Sequence, residues 1–240
     1  MSDELLLSVE GLTSGYGAGS TLHGVDLDLR TDEIVALIGS NGAGKTTLVR
    51  AIGGLLRART GTISLRGERV ERHSVRARAR LGIITVPEGR RLFQRLTVAE
   101  NVAIGRRISR GRPGGTALLD LAMEIFPALP KLWRTQAGLL SGGQQQMVAI
   151  ARGIAANPRV LLLDEPTLGL SPALSDEVLE LVSSLARSSS LSILLVEQRS
   201  DHALRIADRG YVMDRGNITL SGSSAELLAH EGVRAAYLGR

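Results

Sequence analysis

The sequence predicts an α/β fold, in which a parallel β-sheet core carries N-terminal antiparallel β strands and is split by an inserted helical subdomain. Three observations carry the prediction. Continuous apolar runs at 34–38, 160–163 and 193–196 read as strands covered on both faces. Residues 22–29 alternate instead, with Leu22, Gly24, Asp26 and Asp28 on one side and His23, Val25, Leu27 and Leu29 on the other, the pattern of a half-buried antiparallel strand. Between 98 and 154 the character turns helical. The 240 residues suffice to bury one large core. We read 1–240 as a single domain, with 1–87 and 158–240 as its α/β core and 88–157 as the helical subdomain.

Residues 5–9 alternate loosely and meet turn signals at Gly11 and at Gly15-Tyr16-Gly17, so they form a strand leading into a loop. After the alternating strand and the buried run 34–38 come a glycine-rich turn and a helix over 45–52, the front half of a βαβ unit. Further strands are expected at 62–65 and 81–86, the latter closed by Pro87. Helices over 99–105, 118–126 and 145–156 build the subdomain, separated by a loop from Gly111 to Gly115 and a break from Pro127 to Pro130. Behind Pro172, apolar Leu174, Val178, Leu181 and Leu185 recur at helical spacing and imply a crossover helix. Short elements at 211–213 and 218–220 and a small helix close the chain.

An apolar share of 43% excludes a largely disordered chain. The absence of cysteine excludes a disulfide framework, a thiol nucleophile and a thiolate metal site. No run approaches ~20 apolar residues, and Met1-Ser2-Asp3-Glu4 is acidic where a signal peptide is basic. We therefore expect a cytoplasmic protein that meets a membrane only through a partner. Lys plus Arg exceeds Asp plus Glu by 29 to 24, and the excess gathers at Arg66, Arg69, Arg72, Arg76, Arg78 and Arg80, then at Arg90, Arg91 and Arg95. Such a cluster suits nucleic acid or anionic lipid, and equally a solvated face. Aromatic residues at 2% argue against a stacking platform for single strands.

The strongest local signal is Gly39-Ser40-Asn41-Gly42-Ala43-Gly44-Lys45-Thr46, followed by Thr47 and set between a buried strand and a helix. That context is the one a phosphate loop requires. Glycines let backbone N–H groups curl around phosphates, and the helix N-terminus faces the same charge. Lys45 is expected to reach the β- and γ-phosphates of ATP, and the Thr46 hydroxyl to hold Mg²⁺. The prediction sharpens to a P-loop NTPase (RecA-like) core. A second signal is the apolar strand ending in Asp164-Glu165, where Asp164 suits Mg²⁺ binding through water and Glu165 suits polarising the attacking water. A third, Leu140-Ser141-Gly142-Gly143-Gln144, opens a helix inside the insertion. A serine hydroxyl and a glycine-rich helix N-terminus make a second phosphate-binding device, though a plain helix cap would use the same residues.

The order of Tyr16, the Gly39 to Thr46 loop, Leu140 to Gln144 and the Asp164-Glu165 strand end resembles the ATP-binding cassette superfamily over nearly the whole chain. The resemblance implies a head-to-tail dimer in which each ATP lies between one subunit's phosphate loop and the other's signature loop. It implies that Tyr16 stacks on adenine, that Ser141 and Gly143 touch the partner's γ-phosphate, and that Ser171, Pro172, Ala173 and Leu174 cross the dimer seam. Pro87-Glu88-Gly89-Arg90-Arg91-Leu92-Phe93, Asp164 to Pro172, Val196-Glu197-Gln198 and Ala236-Tyr237-Leu238-Gly239 resemble, more closely, the LivF-type ATPases of branched-chain amino acid importers. The ATPases of urea and short-amide importers carry nearly the same motifs, so both substrate classes stay open.

What that resemblance implies is an ATPase driving transport through two membrane permeases, served by a periplasmic or extracellular solute-binding protein and paired with a sibling cassette. The chain would lie on the cytoplasmic face of the inner or plasma membrane. Glu88 stands where the family, usually with glutamine, senses the γ-phosphate and its metal. Arg90, Arg91 and Phe93 beside it are expected to receive a short permease helix. Gln198 stands where most cassettes have a histidine next to the γ-phosphate, and as a glutamine it cannot become cationic. His202 could approach only if the chain after Gln198 is helical. Nucleic-acid machines share the cassette, but the coiled coils and zinc insertions of that class are missing from this sequence, and no nucleic-acid partner is expected.

Overall fold

The computed structural model of the chain describes residues 4–108, 117–189 and 191–237, so the loop expected from Gly111 to Gly115 lies outside the described residues. Strand β1 (Leu5–Ser14) runs past its expected end, and Gly11 sits in a bulge rather than a turn. The pairing of β1 with β2 (Leu22–Arg30) shifts register between Val9 and Leu12, where Gly11 takes φ +58. A second bulge lies in β2, where the step from Val25 to Leu22 is opposed by the shorter step from Leu12 to Ser14. It resets the alternation, so Leu22, expected on the polar side, is buried with Val25, Leu27 and Leu29.

Strand β3 (Ile34–Ile38) is buried throughout and feeds the loop before helix α1 (Lys45–Ile52). Strands β4 (Thr60–Leu65) and β5 (Glu68–Arg69) complete an antiparallel sheet in the order β2-β1-β4-β5. Helix α2 (Val75–Leu81) takes Leu81 from the strand expected over 81–86 and leaves β6 as Ile83–Val86. Its one buried side chain is Arg78, whose guanidinium donates to the carbonyls of Ala51, Ile52, Glu71 and His73. Arg78 thereby satisfies the open carbonyls at the end of α1 and drops out of the exposed arginine cluster.

Helices α3 (Val98–Arg106), α4 (Ala117–Ile125), α5 (Ala128–Leu132) and α6 (Gly142–Ile154) stand between β6 and β7 (Val160–Asp164). The break expected from Pro127 to Pro130 is instead the start of α5. Pro127 is its N-cap and Pro130 lies in its first turn, where a missing N–H leaves no helical bond unmade. Helix α7 (Pro172–Arg187), strand β8 (Ser192–Glu197), helix α8 (Ser200–Ile206), strands β9 (Arg209–Asp214) and β10 (Asn217–Ser223), and helices α9 (Ser224–Ala229) and α10 (Glu231–Tyr237) follow.

The second sheet has the order β10-β9-β3-β8-β7-β6 and is parallel except for β10. Its pleat divides the core into two layers. Ile34, Ala36 and Ile38 face the same cluster as Leu161, Leu163, Ile193 and Leu195, which packs on the inserted helices and α7. Val35, Leu37, Leu162, Leu194 and Val196 face the other cluster, shared with α1 and the antiparallel sheet. Burial on both faces is why these strands read as unbroken apolar runs.

Candidate functional site

In the sheet register Ile38 lies opposite Glu197 and Asp164 opposite Val196, so the carboxyl ends of β3, β7 and β8 come together. Ligands of doubly wound sheets bind at such an edge. The loop from Gly39 to Gly44 leaves β3 here. A Cβ at Gly39 would run into the Met213 carbonyl, and Gly44, at φ +111, is crowded by Leu22 and Met213, so the turn demands glycine. Lys45 is buried, and its ammonium donates to the carbonyls of Gly39 (2.8 Å) and Ser40 (3.1 Å) while lying 3.7 Å from Glu165 Oε1. Thr47, also buried, secures the first turn of α1 in the core.

The Thr46 hydroxyl donates to Asp164 Oδ1 at 3.0 Å. Burial pushes the Asp164 carboxyl up to about 6, with the Thr46 bond opposing and the nearby Glu165 and Glu88 carboxylates adding to the rise. A buried carboxylate with the Thr46 hydroxyl beside it suits a hard divalent cation held through oxygens, and Glu88 is near enough for its charge to be felt at Asp164. Among the described residues no cluster of three or more His, Asp or Glu side chains gathers for a metal.

Glu165 takes φ +50, a left-handed backbone that is uncommon for a residue with a side chain. Its N–H donates to the Val196 carbonyl at 2.9 Å, and its Oε2 accepts from the Gln198 amide at 2.6 Å. The Glu165 carboxylate is thus held from one side by Lys45 and from the other by Gln198. His202 does lie in a helix, α8, but its ring is engaged by Asp176 of α7, by Asp201 and by Arg199, so it does not supply the missing imidazole.

Two contributors escaped the sequence reading. Arg50, on the last turn of α1, donates to the Tyr16 hydroxyl at 2.8 Å and sits 6.0 Å from the ring centroid, linking the exposed Tyr16 to the helix behind the phosphate loop. Glu197 is a buried carboxyl whose oxygens accept from the backbone N–H of Thr167 (3.0 Å) and of Gln198 (3.3 Å). Burial pushes it up to about 7. The acid at the end of an apolar strand was legible, but its inward orientation was not.

The inserted helices form a second cluster. Ser141 caps α6, accepting from the Gln144 N–H while the Gln144 side chain accepts from the Ser141 N–H, a capping box. Leu140 is buried behind it. Gly143 faces Leu174, and Gly142 faces the Arg90 guanidinium, which also donates to Gln145 at 3.3 Å. Ser171 caps α7, accepting from the Leu174 N–H, with Pro172 and Ala173 in the first turn. Gly89, Arg90 and Arg91 all take positive φ, and Arg152 donates to the carbonyls of both arginines. Arg90 is thus committed to α6, while Arg91 and Phe93 are exposed. Among the described residues no hydrogen bond joins 140–144 to 39–47.

A family described as "ABC transporter" matches residues 22–168, more than half of the chain. The chain belongs to that ATP-binding cassette family. Across 98% of this cassette and 100% of the relative, it is 41% identical to the high-affinity branched-chain amino acid transport ATP-binding protein BraG of Pseudomonas aeruginosa. It is 35% identical to the probable branched-chain amino acid transport ATP-binding protein LivF of Archaeoglobus fulgidus, over 94% of the cassette and 95% of the relative. Among solved structures, the ADP conformation of an ATP-binding cassette from an ABC transporter matches with a TM-score of 0.83 at 28% identity, covering 98% of this chain and 99% of that one. The cassette therefore hydrolyses ATP on a P-loop α/β core with an antiparallel sheet, in the service of transport. Among the described residues no helix is long and apolar enough to cross a membrane.

Proposed function

We propose that this cassette powers uptake of branched-chain amino acids, as the ATP-hydrolysing subunit of an importer with two permeases. The observation that carries the reading is the full-length similarity to BraG, joined to a strand edge where Lys45, Thr46, Asp164, Glu165 and Gln198 converge. In this reading Gly39 to Thr47 enclose the phosphates of ATP, with Tyr16 against the adenine. Lys45 neutralises the transferring phosphoryl group and Glu165 orients the water. Thr46 and Asp164, with Glu88 nearby, would hold Mg²⁺, which when bound would supply positive charge against the phosphates. Leu140 to Gln144 face the ATP of a sibling cassette across a seam that includes Ser171 to Leu174. Arg91 and Phe93 meet a permease at the cytoplasmic face of the membrane, and a solute-binding protein outside delivers the substrate.

The test is to delete the gene and follow uptake of labelled leucine, isoleucine and valine, while a tagged chain is purified from its host. Uptake of all three should fall, and two permeases and a second cassette should leave with the tag. Loss of urea or amide uptake alone would replace the substrate, and recovery of ribosomes or DNA without a permease would overturn the transport reading.

A further inference from the structure

The end of β8 grips the turn that follows β7 in three ways with three successive residues. The Val196 carbonyl accepts from the Glu165 N–H at 2.9 Å. The Glu197 carboxyl accepts from the Thr167 N–H at 3.0 Å. The Gln198 amide donates to the Glu165 carboxylate at 2.6 Å. Of the three, only Glu197 reaches in both directions, because its second oxygen accepts from the Gln198 N–H at 3.3 Å. It is 2% exposed, so water does not substitute for either bond.

We propose that Glu197 is a positioning residue for ATP hydrolysis, its buried carboxyl fixing the Thr167 turn and Gln198 relative to each other so that Gln198 holds Glu165 in place. The proposal rests on Glu165 as the water-orienting group. Two features require such a brace. Glu165 sits at φ +50, so its backbone conformation must be imposed by its surroundings. The turn it belongs to leads through Leu168, exposed, to the Ser171 cap of α7, so any displacement from the seam side passes through Thr167. Side-chain charge alone does not explain the arrangement, because Glu197 bonds the backbone N–H groups of Thr167 and Gln198 and the Thr167 side chain, with no cation among those partners. A glutamine there would keep one acceptor but turn its NH₂ toward a second N–H donor, so one of the two bonds is lost.

The experiment compares Glu197→Gln and Glu197→Asp with the parent in the assembled transporter, reading ATP affinity, kcat and thermal midpoint, alone and combined with Gln198→Ala. Glu197→Gln should lower kcat about tenfold, the effect of one lost hydrogen bond, with ATP affinity changed less than about twofold. In the Gln198→Ala background the same change should cost little more, because its effect passes through Gln198. Equal fold losses in both backgrounds, or a fall in ATP affinity that matches the fall in kcat, would overturn the proposal. Should Glu197→Gln fail to fold, Glu197→Asp, which keeps the charge and shortens the reach, must show the same kcat loss and the same masking. Glu165→Gln run alongside keeps the two readings apart. If it hydrolyses ATP at the parental rate the assignment of Glu165 fails, whereas a dead Glu165→Gln with a fully active Glu197→Gln sinks only the positioning role.

Discussion

At the scale of single residues, the site is defined by what holds Glu165. Lys45 approaches one oxygen and the Gln198 amide donates to the other, so both oxygens of the carboxylate are directed before any water arrives. A histidine at Gln198 could also carry charge, which glutamine never does. The bond from Gln198 to a carboxylate is of the charge-assisted kind, worth about 1.5 to 3 kcal/mol. We expect Gln198→Ala to slow single-turnover hydrolysis at this cassette's own phosphate loop by roughly ten- to hundredfold, with ATP still bound. Gln198→His should recover rate, and in a heterodimer with a histidine-bearing sibling the site on this chain should be the slower one. Rates unchanged by either substitution would show that the Gln198 contact does not govern turnover.

At the scale of elements, α6 decides between a helix cap and a jaw, because Ser141 is built to be the first whatever else it does. Loss of an N-cap serine costs about 1 kcal/mol, or roughly 2 to 4 °C in a domain this large. If Ser141 also grips the partner's ATP, Ser141→Ala in the heterodimer should cut turnover at the sibling's phosphate loop by about tenfold or more, leaving ATP binding to this chain's own loop intact. A change confined to the thermal midpoint would leave Ser141 as a cap and nothing more. Legibility also divides at this scale. The buried parallel strands β3, β7 and β8 were readable because both faces are apolar, and α7 because its apolar stripe has helical spacing. Helix α2 was not, since what anchors it is the Arg78 guanidinium on backbone carbonyls, and an arginine leaves no apolar period. The bulges at Gly11 and at Gly24, which takes φ +67 in the step between Leu22 and Val25, were hidden because a glycine in a strand and a glycine in a turn look alike until the pairing is known. At the site, the residue types that contact phosphates were readable from spacing, whereas Arg50 and Glu197 act through contacts between segments distant in sequence.

At the scale of the whole molecule, the arrangement that prepares this site works against the stability of the free chain. The two sheets are joined on one side by a network in which Arg209 of β9 pairs with Glu33 and Asp28 while the Tyr211 hydroxyl donates to Asp28 at 2.6 Å. At the strand edge the Thr46 hydroxyl offsets only part of the cost of burying Asp164. Burial, reinforced by Glu165 and Glu88, lifts Asp164 to about 6, and burial lifts Glu197 to about 7. Both acids bind a proton more tightly in the fold than in the unfolded chain. Their favourable contribution is therefore complete below about pH 4 and is lost as pH rises through 6 to 7. For Asp164, a rise from 3.8 to about 6 corresponds to about 3 kcal/mol withheld from the fold at neutral pH. Asp164→Asn keeps an acceptor for the Thr46 hydroxyl and removes the charge. In EDTA and without nucleotide, the variant should melt roughly 5 to 10 °C above the parent at pH 8, and the gain should fall to about half by pH 5 and vanish only below about pH 4. Addition of Mg²⁺ and ATP should reverse the order, because a bound cation favours the ionised carboxylate that only the parent can offer. A variant less stable than the parent at pH 8 in EDTA would mean that the Asp164 carboxylate is already compensated within the chain, and the case for a cation at this edge would lose its physical basis.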